Sequence, residues 1–413
     1  MIGFDPTEDQ KMMQAAVAQL AKATLRERQR EFEKARALPD DVRKAAHEMG
    51  LATAALPEAI GGGGLGMTTA VLLEEEVAYG DPAAAFAFGG PGSLGLAVAE
   101  LGTGDQAKRA LAPFAEADAH ARFGAVAWGE RRAVADRPGL ATIATRDGDG
   151  WKLDGAKAYV INADRAESFV VFAQVDATKG WSGVGAFLVS RTASGLDIAP
   201  RDTTLGLDAA SFGGITLKGV KVADRDRLSG AEPGAAFDAA LVRFFAKNAL
   251  LVAARGVGLA RAAFDVTLAY AETRKAFGKP IGHFQAVAFN LADRAMDLEA
   301  ARLMVWRAAT EWDAVAVPSA TRDERAALRQ TAWAVSFVHE AAMRAGDDAV
   351  QLHGGSGFIR DYPVEKMMRD AKQLQLCGMT AEHADQLAAA VELGRPIDPG
   401  LVLPSAESQN AFV

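Results

Sequence analysis

The chain has 413 residues, half of them hydrophobic and 24% charged, a composition that excludes a disordered polymer and supplies material for large cores. Forty-five basic against 53 acidic residues leave a net charge of −8, which argues against a broad phosphate-binding face for nucleic acid. One cysteine, Cys377, excludes internal disulfides and cysteine-ligated zinc, and the six histidines show no metal-ligand spacing.

The length predicts two or three domains. The first residues lack the basic and apolar regions of a signal peptide, and no uncharged apolar run reaches 18 residues. A soluble, cytoplasmic protein with no membrane span is expected.

Residues 1–120 read as helical. Thr7 and Gln10 form a capping box opening a helix at Glu8, and Met13, Val17, Leu20 and Leu25 recur at roughly helical spacing. Further helices are expected from Asp40 to Met49, stopped by Gly50, and from Thr68 to Tyr79, closed by Gly80. Asp81-Pro82 then offers an N-cap with proline in the first turn. Residues 121–229 change to short β-rich runs. Trp151 to Leu153 and Ala158 to Ile161, flanking Asp154-Gly155, read as a hairpin. Phe169–Val175, Val184–Val189 and Ile215–Leu217 read as further strands, so a β-sandwich or barrel is predicted.

Residues 230–395 return to helical periodicity. Val257, Ala260, Phe264, Leu268 and Ala271 form one stripe, which Phe289, Met296 and Leu303 continue on the next helix. Trp333, Phe337, Glu340 and Arg344 lie on a third. Residues 396–413 are expected to be a loose tail. The fold class is α+β: an N-terminal helical domain, a middle β-domain and a C-terminal four-helix bundle.

Gly61 to Gly66 matches G-x-G-x-x-G, but Pro57 argues against the preceding strand that a dinucleotide loop needs, and a turn is the better reading. His353-Gly354-Gly355 has no accompanying G-x-S-x-G elbow, against a serine hydrolase. Two stretches carry more. In Tyr270 to Ile281, Arg274 ends a long helix before the turn at Gly278-Lys279-Pro280, where a guanidinium suits either a phosphate or the helix terminus. In Gln351 to Ala371, glycines allow close approach of a ligand or another subunit. There Arg360, Asp361, Glu365, Arg369 and Asp370 are expected to form a structural charge network.

At these stretches the chain resembles the acyl-CoA dehydrogenase family. The resemblance covers nearly the whole length, through Pro57-Glu58 to Gly66, Asp154 to Asn162, Leu205-Gly206-Leu207, Val220-Lys221-Val222 and the two C-terminal stretches. It implies the same three-part fold and an extended FAD between the β-domain and the bundle, closed by a neighbouring subunit. Arg274, Phe277 and Gln285 match the positions on the pyrophosphate and adenine side. Gln351, Gly354 and Gly355 match the loop that reaches the same cofactor from the partner. Trp128 and Tyr159, with Gly129 and Ile161, match the flavin-ring side, and Thr380 another FAD contact. A homo-oligomer is implied, a tetramer or dimer, with an acyl-CoA substrate and an electron-transfer flavoprotein as the usual oxidant.

The resemblance also implies a carboxylate that removes the α-proton while flavin N5 takes the β-hydride. Here the match departs. Gly378 occupies the usual glutamate position, and Asn248 the position from which a minority of members supply it. The arginine commonly beside the latter is Ala249. The segment usually reading Thr-Glu-Pro-Gly-Ala-Gly-Ser-Asp has become Gly129 to Asp136, which loses hydroxyls and places Ala135 on the substrate side. Ala135, Phe245, Asn248 and Gly378 are the expected substrate contacts, with acyl-pocket residues from Phe86 to Leu96 and near Phe244.

Three readings follow: dehydrogenation with a base from elsewhere (Cys377, Asp81 or Glu382), a different flavin and CoA reaction, or a base-less subunit of a heteromer with a paralogue.

Overall fold

The computed structural model describes residues 5–116, 118–131, 138–228, 234–317 and 323–402. The N-terminal part is helical: α1 (Glu8–Leu20) runs through a π-type turn over Ala21–Arg26 into α2 (Glu27–Ala35), followed by α3 (Asp40–Glu48), α4 (Met67–Gly80), α5 (Ala84–Ala87), α6 (Ser93–Leu101) and α7 (Gly104–Leu111). The expected capping box is present: Gln10 N donates to Thr7 Oγ1 at 3.3 Å, and Thr7 N to Gln10 Oε1 at 2.9 Å.

The middle part is one sheet. β1 (Gly124–Ala127) pairs parallel with β4 (Ser168–Gln174), whose other edge carries β5 (Val184–Ser190) antiparallel. The sheet continues through β2 (Ile143–Asp147), β3 (Gly150–Ile161) and β7 (Phe212–Ala223) to β6 (Leu196–Ile198). Its inner face is packed by Leu153, Val160, Phe169, Val171, Phe187 and Ile215.

The hairpin expected at Asp154-Gly155 is not there. Residues 150–161 form one long strand along β7, with bulges between Leu153 and Gly155 and between Lys157 and Val160. Gly155 is needed for a different reason: its φ is +149°, and a Cβ would lie 2.6 Å from the Thr142 Cα. A glycine marking a bulge and a close crossing therefore reads like a turn in sequence. The hairpin lies one step earlier, where Gly148 (φ +63°) joins β2 to β3.

The C-terminal part is built on α8 (Ala235–Thr273), α9 (Gln285–Val315) and α10 (Glu324–Leu352), with α11 (Val364–Leu374) and α12 (Ala381–Glu392) packed on α10. A two-residue ribbon, β8 (Lys275–Ala276) with β9 (Lys279–Pro280), follows α8. Helix α4 lies so close to α8 that a Cβ on Gly258 would meet the Glu75 carbonyl oxygen at 2.2 Å. Across that seam Arg261 pairs with Glu75 at 2.8 Å and Glu76 at 2.5 Å. On α9 the stripe Phe289, Met296 and Leu303, expected to continue the core, faces outward, Phe289 and Met296 each 64% exposed. Residues 396–402, expected within a loose tail, pack instead: Val402 is buried, and Gly400 lies against Trp181.

The charge network of the second C-terminal stretch has a different membership from the one expected. Arg369 pairs with Glu365 at 2.8 Å and Glu33 at 2.5 Å, and Arg30 with Glu365 at 2.6 Å. Asp370 belongs to a separate buried centre with Lys366 and Asp81. Among the described residues Arg360 and Asp361 make no ion pair. Both lie exposed in the loop before α11, whereas Glu365 and Arg369 stand one turn apart on the helix itself.

Candidate active site

A cavity of about 590 Å³ opens where the three parts meet. α4 contributes Leu73, Glu74 and Val77, and the segment after it Phe86, Phe88, Ser93 and Leu96. The end of β1 and the end of β3 contribute Trp128 to Arg131 and Ala158 to Asn162. α8 adds Phe244, Asn248, Leu251, Val252 and Arg255, and the turn after α11 adds Leu376, Cys377 and Gly378.

The β-side wall is tied down by backbone and charge. Ala158 N donates to Gly129 O at 2.9 Å. Glu130 accepts from Ala141 N and Thr142 N at 2.7 and 2.9 Å, and from Lys157 Nζ at 2.8 Å. Lys157 is fully buried; loss of water pushes its ammonium down to about 8, while that ammonium holds Glu130 below the usual carboxylate range. Tyr159 sits at φ +55°, an uncommon conformation for a bulky residue; it is 61% exposed beside the cavity, with the Arg131 guanidinium 5.6 Å from its ring. Asn162 donates to Phe86 O at 2.8 Å, joining the strand end to the segment after α4.

The two family positions for the base converge. A Cβ on Gly378 (φ +75°) would stand 3.6 Å from Asn248 Nδ2, so a side chain from either position would reach the same place. Neither residue is a proton acceptor near neutral pH. Asn248 Oδ1 accepts from Ser93 Oγ at 2.8 Å, leaving its amide N–H groups toward the cavity. The three substitute bases are poorly placed. Burial pushes the Cys377 thiol up to about 12, so it is not a thiolate at neutral pH. Asp81 is held by Lys366 away from the cavity lining. Glu382, in the first turn of α12, does not line the cavity either. Among the described residues the carboxylates that do are Glu74 and Glu130, each already paired with a cation.

Of the other expected residues, Trp128, Gly129, Tyr159 and Ile161 line this cavity, while Ala135 lies outside the described residues. Phe245 does not reach the cavity wall. It is buried edge-on behind Trp128 at 5.7 Å, because one residue along α8 turns it away from the face shared by Phe244, Asn248 and Leu251. Thr380 caps α12 instead of lining the cavity, its hydroxyl 3.0 Å from His383 Nδ1.

Arg274, Phe277, Gln285, Gln351, Gly354 and Gly355 gather elsewhere. They are exposed at one end of the bundle, where Tyr270 stacks on His353 at 4.1 Å and so holds the two stretches together. Phe277 is 98% exposed at φ +51°, and the Arg274 guanidinium has no partner among the described residues. Within one chain this group and the cavity do not meet. Residues that sequence reasoning missed are Glu74, Lys157 and Arg255, while Ser93 falls within the expected stretch Phe86 to Leu96. A signal existed for Arg255, a lone charge in the apolar run Ala249 to Ala260.

His339 on α10 supports the turn carrying Gly378 by contacting Met379 O at 3.0 Å. Burial pushes its ring down from 6.5 to about 4. Between those values an unfolded chain binds a proton that the folded one refuses, so stability falls as pH drops from about 6.5 to about 4. The loss amounts to about 3 kcal/mol at most. His339→Gln is expected to flatten that part of the thermal midpoint against pH; an unchanged slope would show that another group carries it.

Residues 7–118, 125–220 and 237–391 match the N-terminal, middle and C-terminal domains of acyl-CoA dehydrogenase. A probable acyl-CoA dehydrogenase of Mycobacterium tuberculosis is 33% identical over 375 residues, 90% of this chain and 92% of its own. The mitochondrial short-chain specific acyl-CoA dehydrogenase of Bos taurus is 33% identical over 340 residues, 82% of this chain and 79% of its own. The structure of butyryl-CoA dehydrogenase from Megasphaera elsdenii superposes with a TM-score of 0.84 at 27% identity, covering 95% of this chain and all of the other. The chain therefore belongs to the acyl-CoA dehydrogenase family.

Proposed function

We propose that the chain is a flavoprotein that binds FAD and an acyl-CoA thioester in the cavity. Its reaction is a flavin-dependent step that draws on no carboxylate at residue 378 or 248. The observation that carries this reading is the convergence of both base positions on one spot with glycine and asparagine there. The residues fit an extended flavin. Trp128 and the outward Tyr159 offer aromatic surface, and a Cβ at Gly129 would crowd the Ala158 oxygen at 3.1 Å. When bound, FAD supplies a hydride acceptor. Lys157 and Glu130 keep the Trp128 segment in register with β3, and Asn248 presents amide hydrogens toward the thioester side.

Arg274, Phe277, Gln285, Gln351, Gly354 and Gly355 are assigned to the far half of FAD on a second copy, with Thr380 on the same cofactor. The exposed stripe on α9 supports an oligomer, a dimer or tetramer. An electron-transfer flavoprotein as oxidant and a cytoplasmic site are carried over from the resemblance. Dehydrogenation with a base from elsewhere is the weaker reading, since Cys377, Asp81 and Glu382 are all unsuited. A non-catalytic subunit is the third, and predicts a colourless protein alone.

Anaerobic mixing of the FAD-loaded protein with short, branched and aromatic acyl-CoAs separates these readings. The expected result is a shifted flavin spectrum without bleaching. Rapid bleaching would overturn the base-less reading in favour of dehydrogenation.

A further inference from the structure

The wall of the cavity is mostly apolar, yet one end is charged. Asn248, Leu251, Val252 and Arg255 share one face of α8, which puts Arg255 about 10 Å along the axis from Asn248. Its Nε and Nη2 donate to the two carboxylate oxygens of Glu74 at 2.8 and 2.9 Å, and its guanidinium lies over the Phe86 ring at 4.2 Å. The two side chains are only 12% and 22% exposed, and both line the cavity. The pairing uses two of the five guanidinium N–H bonds, and the other three, two of them on Nη1, have no acceptor among the described residues. A largely buried ion pair is costly compared with apolar packing of the same volume, and its unused donors, still within reach of solvent, are open to an acceptor at the cavity wall.

We infer that Arg255 and Glu74 form a polar subsite for the far end of the acyl group. The preferred acyl-CoA carries a neutral hydroxyl there. A hydroxyl accepts from Nη1 and donates to a Glu74 oxygen, matching both halves of the pair. An alkyl end strips water from Nη1 and returns nothing. A carboxylate adds a negative charge beside a guanidinium that Glu74 already balances. The inference rests on the acyl-CoA reading of the cavity.

Calorimetric titration of the FAD-loaded full chain with hexanoyl-CoA, 6-hydroxyhexanoyl-CoA and adipoyl-CoA tests both separately. The hydroxy ester is expected to bind roughly tenfold tighter than hexanoyl-CoA, as befits a hydrogen bond to a charged group. Adipoyl-CoA is expected to be the weakest of the three. The preference should vanish in the double variant Arg255→Leu/Glu74→Leu, which leaves no lone charge, and persist in part in Arg255→Lys. Equal or tighter binding of hexanoyl-CoA, or a preference that survives the double variant, overturns the subsite alone. Adipoyl-CoA binding tightest overturns the neutral-hydroxyl assignment. Binding of none of the three overturns the acyl-CoA reading, and the subsite with it.

Discussion

Asn248→Glu is expected to raise anaerobic flavin bleaching by an acyl-CoA by a factor on the order of 10²–10⁴, the range that a positioned general base supplies. Residue 248 lies within α8, so a glutamate enters without backbone strain and can still accept the hydrogen bond from Ser93. Gly378→Glu aims a carboxylate at the same place, 3.6 Å from Asn248 by its Cβ, and meets only ordinary van der Waals contacts. It does so from φ +75°, where a side chain costs about 1–2 kcal/mol. Both variants should therefore gain activity, with Gly378→Glu the less stable of the two. If the parent chain bleaches as fast as Asn248→Glu, a base is already present and the central reading of the site is wrong.

Lys366→Met is expected to be the most destabilising single change, by about 3–5 kcal/mol. Lys366 Nζ lies 3.1 Å from Asp81 and 2.6 Å from Asp370, with all three side chains essentially buried. The two carboxylates hold the ammonium above its ordinary range. They also receive backbone hydrogen bonds, Asp370 from Leu207 N at 2.6 Å and Asp81 from Ala83 N at 2.9 Å. The centre thus joins the end of α4, the approach to β7 and α11. Methionine fills the volume but leaves two buried anions facing each other. A fall in the thermal midpoint of several degrees is expected, and a change equivalent to less than 1 kcal/mol would show that the anions relax into water.

The three zones and most elements were legible because they rest on local physics: the Thr7–Gln10 box, the glycine stop at Gly50 and the change of period near residue 121, whereas Gly80 is the last helical residue of α4, packed against Leu25. Asp154-Gly155 misled because a bulge and a turn ask for the same residue. The difference lies in Thr142, whose contact with Gly155 is set by sheet pairing. The Phe289, Met296 and Leu303 stripe read as core because periodicity reports an apolar face without saying which chain covers it. Within the site, the cavity-lining residues proposed for the flavin side, and the glycine and asparagine at the two base positions, came from motif resemblance. Glu74 and Arg255 stand 181 positions apart, and only the packing of α4 on α8 brings them together.

Whether two copies share the cofactor is read directly from the flavin content of the purified chain across its size-exclusion profile, compared with Arg274→Ala. About one FAD per chain is expected, in a dimer or larger assembly. In the variant, FAD binding should weaken by about tenfold or more, the worth of a charged hydrogen bond. A chain that holds no FAD in any assembly, or a monomer that holds it equally well with and without Arg274, would rule out a cofactor shared between two copies.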